Sequence, residues 1–189
     1  MLYIIGLGLN EKSISLEALD IIKKCKGVYL ENYTTEIPYS IKKMEGIIRK
    51  KIILLKRESV ESEFLIDFAK KKNICLLVYG SPLFATTHIS LIEECKKEKI
   101  KFKTIYNSSI FDAVGETGLQ LYKFGKITSM PKWQKNFRPI SFLDLVEENQ
   151  EINAHSLILI DIGLDFREAI VELIETCKER GLKISNILV

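Results

Sequence analysis

The chain has 189 residues, 47% of them hydrophobic and 28% charged, with a formal net charge of +3 at neutral pH. That size and balance suit a soluble globular protein of one domain, or of one domain and part of a second. The small net charge gives no basis for a direct nucleic-acid partner, and no apolar run reaches membrane-spanning length, which sets aside an integral membrane protein.

Residues 1–5 run straight into a strand pattern without a preceding signal peptide, so the expected compartment is the cytoplasm. Cys25, Cys75, Cys95 and Cys177 are widely spaced with no C-x-x-C, and His88 and His155 lie far apart. That pattern predicts reduced, mostly buried thiols and no metal site.

Residues 1–8 read as a buried strand. Residues 15–26 read as a helix with Leu16, Leu19, Ile22 and Cys25 at helical spacing, and 27–31 as a second strand. A basic helix over 41–49 precedes a short strand at 52–55. A helix over 61–72 places Phe64, Leu65, Phe68 and Ala69 on one face. A central strand at 74–79, a helix over 86–97 and a strand at 102–106 follow. Strand–helix alternation with continuous apolar strands predicts an α/β fold with a parallel sheet covered on both faces. The lysine-rich runs 42–51 and 70–72 read as solvated helix faces.

After residue 106 the texture changes. A helix is predicted over 108–121, with Ile110, Val114, Thr117 and Leu121 on one side, then a strand at 126–130. Residues 131–141 read as a long aromatic and basic loop, 141–149 as a short helix and 155–162 as a strand. Asp165 and Glu168 have capping-box spacing at the start of a helix over 165–180, which Gly181 ends. Residues 184–189 read as a strand. So few strands predict a first domain over 1–106 and an incomplete second α/β domain over 107–189. The alternative is a last strand docked on one larger sheet.

Three strand-to-helix junctions carry the chemistry, because open α/β sheets bind ligands beyond the carboxyl ends of their strands. Gly6-Leu7-Gly8-Leu9 allows a tight turn or a close ligand approach. Its third fingerprint glycine is replaced by Glu11, while Glu31 falls where a ribose-binding acid would. A nicotinamide-dependent Rossmann oxidoreductase therefore stays open as an alternative. Residues 80–88 place Gly80, Pro82 and the hydroxyls of Thr86 and Thr87 before a helix. His88 there is either a partner for nearby backbone or a base. At 107–110, Ser108 is the predicted N-cap, and Gly115 and Gly118 either allow close helix–sheet packing or make room for a ligand. In the loop at 131–141, Trp133, Lys135, Phe137 and Arg138 either grip a protein substrate or pin the loop through its aromatics.

Taken together, GLGL at 6–9, G-x-P-L-x-A-T-T-H at 80–88, SSIF-x-AVG-x-TGLQLYKFG at 108–125 and H-x-L-x-L-x-DI at 155–162 bring a family into view. In order, along almost the whole chain, they resemble the diphthine synthases. These are members of the tetrapyrrole-methylase-like family of S-adenosylmethionine-dependent methyltransferases.

The resemblance implies two α/β domains with S-adenosyl-L-methionine in the inter-domain cleft, usually in a homodimer. It implies methylation of the amino group of an aminocarboxypropyl-modified histidine in translation elongation factor 2, on the route to diphthamide. Carried over motif by motif, the cofactor contacts are Leu9, Ser81, Phe84, Ser109, Ile110 and Ile160. No catalytic acid or base is assigned.

Three departures accompany the match. The family reads G-D-P where this chain has Gly80-Ser81-Pro82, so a hydroxyl replaces a charge. Phe84 stands in place of a smaller aliphatic residue. The family's second domain continues into further strands, so the expectation is completion by a second chain rather than a shortened form. A non-catalytic or degenerate subunit is the alternative to an enzyme.

Overall fold

Short segments of three to five residues form the strands of one parallel sheet: β1 (Leu2–Gly6), β2 (Gly27–Glu31), β3 (Ile53–Leu55), β4 (Ile74–Val78) and β5 (Phe102–Ile105). Their order in space is β3-β2-β4-β1-β5, with Leu2 opposite both Ile74 and Phe102. This computed structural model describes residues 1–184 and 186–189. Two units divide the chain, Met1–Ala113 and Val114–Val189.

Side chains alternate across the pleat, so each strand feeds two cores. Leu2, Ile4, Tyr29, Ile74, Leu76 and Val78 point to one face, where they pack with α3 (Arg57–Val60), α4 (Phe64–Lys71) and α5 (Ile89–Lys97). Ile5, Val28, Leu30, Cys75 and Leu77 point to the other, against α1 (Leu16–Lys24) and α2 (Ile41–Ile48). Burial on both faces explains why the inner strands β1, β2 and β4 read as largely apolar runs. The four cysteines are free and buried. Among the described residues, no helix is long and apolar enough to cross a membrane.

The connections fix where loops gather. β1 and β2 leave the sheet toward the α1–α2 face. β4 leaves toward the opposite face, as right-handed crossovers in opposing directions require. The loop after β4 is therefore flanked on both sides by loops that turn the other way, and this is where open sheets hold ligands.

Several element limits differ from the sequence expectation. In α1 the buried residues are Ala18 and Ile22, followed by Cys25, while Leu16 is 81% exposed. Ser15 Oγ caps this helix by accepting from the Ala18 N–H at 3.1 Å, which sets its rotation. The helix expected from residue 61 begins at Phe64, after the separate turn α3. α5 begins at Ile89 instead of 86, because the Thr86 and Thr87 hydroxyls donate to Pro82 and Glu61 rather than capping.

The helix expected over 108–121 is broken. α6 (Ile110–Ala113) is one turn, followed by 3-10 turns at Val114–Thr117 and Leu121–Lys123. Gly118 has a φ of +79°, outside the right-handed helical region. Thr117 Oγ1 donates to the Val114 carbonyl at 2.7 Å and accepts from the Leu119 N–H at 3.2 Å, closing the chain locally. A Cβ at Gly115 or Gly118 would meet nothing within 4 Å, so close packing does not account for these glycines.

In the second unit, β6 (Thr128–Met130) and β7 (Ile158–Ile160) pair in parallel. With α7 (Phe142–Glu151) and α8 (Phe166–Arg180) they enclose Met130, Phe142, Leu143, Val146, Leu173 and Cys177. Buried Asn149 holds Lys126 through both main-chain atoms at 2.7 and 2.8 Å, and Ser156 at 3.0 Å. Asp165 caps α8 through the Arg167 N–H and Gly181 ends it in the left-handed region. Glu168 pairs with Lys132 at 3.5 Å. The strand expected at 184–189 includes Ser185, which lies outside the described residues; none of the described residues of that stretch is in a strand.

Candidate functional site

The loops after β1, β4 and β5 are tied together by main-chain contacts that only certain residue types permit. Gly8, at a φ of +73°, exchanges two N–H···O bonds with Gly80, both at 3.1 Å. A Cβ on Gly6 would lie 2.6 Å from the Gly80 carbonyl oxygen. The glycines of GLGL thus serve the approach of two loops, the turn reading of that motif.

Asn107 fastens the third loop. Its Nδ2 donates to the carbonyls of Gly6 at 3.1 Å and Ser13 at 2.9 Å, and its Oδ1 accepts from the Ser108 N–H at 2.9 Å. Tyr79 Oη donates to the Leu9 carbonyl at 3.0 Å. The N-cap of α6 is Ser109 rather than Ser108. Ser109 Oγ accepts from the Phe111 N–H at 3.2 Å, and Asp112 Oδ2 accepts from the Ser109 N–H at 2.6 Å. That reciprocal pair is a capping box with Asp in the acidic position.

The segment 80–88 folds over Pro82. The Pro82 carbonyl accepts from Thr86 Oγ1 at 2.8 Å and from His88 Nδ1 at 3.1 Å, which assigns the imidazole proton to Nδ1. Between them Ala85 has a φ of +53°. A non-glycine residue held there costs of order 1–3 kcal/mol and persists only where neighbours over-determine it. Burial pushes the His88 imidazole below its usual pKa, with the Glu31 and Glu61 carboxylates opposing that shift.

Glu31 is 1% exposed. Its carboxylate accepts from the N–H groups of Tyr33 at 3.2 Å and Thr34 at 3.1 Å and from the Thr34 hydroxyl. It closes its own loop instead of facing a ribose, and this removes the basis for the nicotinamide alternative.

Ser81, Phe84, Ser109 and Ile110 come to one edge of the sheet: a Cβ on Gly80 would lie 3.7 Å from Ser109 Cα. Ser81 and Ser109 are buried, Leu9 is half-buried, and Phe84 and Ile110 are 54% and 52% exposed. The Phe84 ring lies 5.1 Å from that of Phe111. Exposed aromatic and aliphatic side chains beside buried hydroxyls suit a ligand with a flat base and a polar sugar. Ile160 sits on β7 of the second unit, partly exposed.

The loop at 131–141 is committed to its own unit. Gln134 and Phe137 exchange main-chain bonds at 2.9 and 3.1 Å, forming a tight hairpin. Arg138 lies 3.8 Å from the centre of the Trp133 ring and 3.0 Å from Glu175, and the main-chain N–H of Trp133 donates to Glu172 Oε1 at 3.3 Å. Trp133 and Arg138 therefore pin the loop, leaving Lys135 and Phe137 exposed at its tip. The sequence reading missed Asn107 and Asp112. Only Asp112 had a signal, the S-x-x-D spacing from Ser109.

The family of tetrapyrrole (corrin/porphyrin) methylases matches residues 1–184. A diphthine methyl ester synthase of Schizosaccharomyces pombe is 44% identical over 166 residues, 86% of this chain and 58% of that protein. The diphthine methyl ester synthase of Saccharomyces cerevisiae is 45% identical over 166 residues, 86% of this chain and 55% of that protein. The chain thus spans little more than half the length of these relatives. A solved diphthine synthase superposes with a TM-score of 0.87 at 34% identity, covering 95% of this chain and 73% of that one. Fold, sheet-edge loops and sequence agree: the chain belongs to the tetrapyrrole methylase family.

Proposed function

We propose that the chain acts as an S-adenosylmethionine-dependent methyltransferase of diphthamide biosynthesis. Its substrate is the aminocarboxypropyl-modified histidine of translation elongation factor 2, in the cytoplasm, and its working form is a homodimer. The observation that carries this reading is the clasped sheet edge, where Gly8, Gly80 and Asn107 fix three loops beside Ser81, Phe84, Ser109 and Ile110. The names of the two yeast relatives support the choice of substrate.

Bound S-adenosylmethionine supplies a methyl group on a positively charged sulfur. Phe84 and Ile110 would pack on its adenine, and Ser81 and Ser109 and the main chain at Leu9 would meet its polar atoms. A free α-amino group has a pKa of about 7.7–8.0, so a neutral fraction exists near pH 7 without a protein base. The chain's task is then to align acceptor and methyl and to exclude water. Alignment of this kind is worth up to roughly 7–11 kcal/mol of barrier. No residue is assigned to move a proton.

The yeast relatives' name specifies a methyl ester, which favours a carboxylate acceptor as well as the amine. A carboxylate is ionised at neutral pH and likewise needs no base. Incubation with methyl-labelled S-adenosylmethionine and the modified factor tests both readings. Label released by mild alkali reports an ester, and label that stays reports an N-methyl group. Absence of any transfer, beside a working control enzyme, would instead support the non-catalytic reading that Ser81 motivates.

A further inference from the structure

We infer that His88 is a positioning residue: its Nδ1–H latches the Pro82 carbonyl and so sets the shape that the loop after β4 presents to the cofactor. The inference rests on the proposed cofactor site. Pro82 lies between Ser81 and Phe84, both assigned to that site. Its carbonyl has two lone pairs, and both are used, by Thr86 Oγ1 and His88 Nδ1. The two bonds close residues 82–88 into a ring that holds Ala85 at a φ of +53°. A left-handed alanine needs such restraint, and no main-chain ladder supplies it.

The surroundings of His88 keep the ring neutral. The side chain is 1% exposed, and among the described residues Nε2 is buried without a hydrogen-bond partner. A protonated ring would bury a second N–H with no acceptor, an unfavourable state in an apolar setting. The facing groups are Glu31 at the end of β2, Glu61 after α3, and Tyr33, whose ring meets His88 edge-on at 6.3 Å. Arg57 from α3 covers Tyr33 at 5.2 Å. Tyr33 belongs to the loop that Glu31 closes, so the same histidine also joins the loops after β2 and β4, which leave the sheet toward opposite faces.

Two isosteres separate latch from packing. His88→Asn places an amide N–H near the position of Nδ1, whereas His88→Gln places it near Nε2. Titration with S-adenosylhomocysteine is expected to show His88→Asn within about threefold of wild type and His88→Gln weaker by about tenfold, the equivalent of one lost hydrogen bond. The main-chain amide resonances of Leu83, Phe84 and Ala85 are expected to shift in His88→Gln and to stay in place in His88→Asn. Thr86→Val, which removes the other donor, is expected to shift the same amides even if His88→Gln fails to fold. Equal effects of Asn and Gln, or amides unmoved by Gln and by Thr86→Val, would overturn the latch. If wild type binds no S-adenosylhomocysteine, the cofactor assignment fails, and the amide shifts still decide the latch.

Discussion

The segment 80–88 and the loop at 131–141 each carry proline and an exposed phenylalanine, Phe84 and Phe137, yet they are held by different physics. The first is fixed by bonds to main-chain groups: buried His88 and half-buried Thr86 on Pro82, and the main chain of Gly80 on that of Gly8. The second closes on itself through the Gln134–Phe137 main-chain pair and is fastened to its unit largely by surface groups: Arg138 between Trp133 and Glu175, and Lys132 with Glu168. Main-chain bonds inside a fold are costly to break and indifferent to salt. Exposed ion pairs are each worth about 0–1 kcal/mol and are screened. The segment at the sheet edge is thus built to keep one shape, and the loop at 131–141 is held only lightly.

The largest test of that contrast is Asn107→Ala. It strips two carbonyls and one N–H of their partner and is expected to cost about 3 kcal/mol, read by urea unfolding, with loss of S-adenosylhomocysteine binding. A loss below about 0.5 kcal/mol would show that these loops do not depend on the clasp. Gly6→Ala drives a Cβ into the Gly80 carbonyl and is expected to cost about 2 kcal/mol.

A pH series sharpens the comparison further. The folded-state pKa of His88 is depressed by burial, so the unfolded chain binds the proton first as pH falls. The stability linked to His88 is then complete above its unfolded pKa, about 6.5, and is lost as pH drops from there toward the folded value. His88→Asn is expected to flatten that part of the profile; an unchanged slope would contradict the buried neutral imidazole.

Arg138→Ala is expected to cost about 0.5–1 kcal/mol, less in high salt, with no change in S-adenosylhomocysteine affinity. Gly115→Ala should be the mildest change, within about 0.5 kcal/mol of wild type, because its new Cβ meets open space. A large loss there would restore the packing role that the sequence allowed for this glycine.

These contrasts also explain what could be read in advance. The middle of the sheet was legible because strands buried on both faces are nearly unbroken apolar runs, such as Ile74–Val78. The segment 108–121 misled because Ile110, Val114, Thr117 and Leu121 mimic a helical stripe, while Gly118 and the Thr117 hydroxyl end the helix within a turn or two. Glu31 misled for another reason. A ribose-binding acid and a loop-closing carboxylate can stand at the same strand end, and only the N–H groups of Tyr33 and Thr34 tell them apart. Asn107 left no periodic signal, since its partners Gly6 and Ser13 lie about a hundred residues away. At the candidate site, the residue types came from motif resemblance. The network that fixes them comes from side-chain-to-backbone bonds that have no pattern along the chain.

The most direct test of the cofactor assignment is titration of the isotope-labelled chain with S-adenosylhomocysteine and, separately, with NAD, followed through main-chain amide resonances. Saturable shifts at Leu9, Ser81, Phe84, Ser109 and Ile110 with the first ligand and none with the second are the expected result. No saturable change with S-adenosylhomocysteine, or NAD-dependent shifts at residues 6–11, would contradict it.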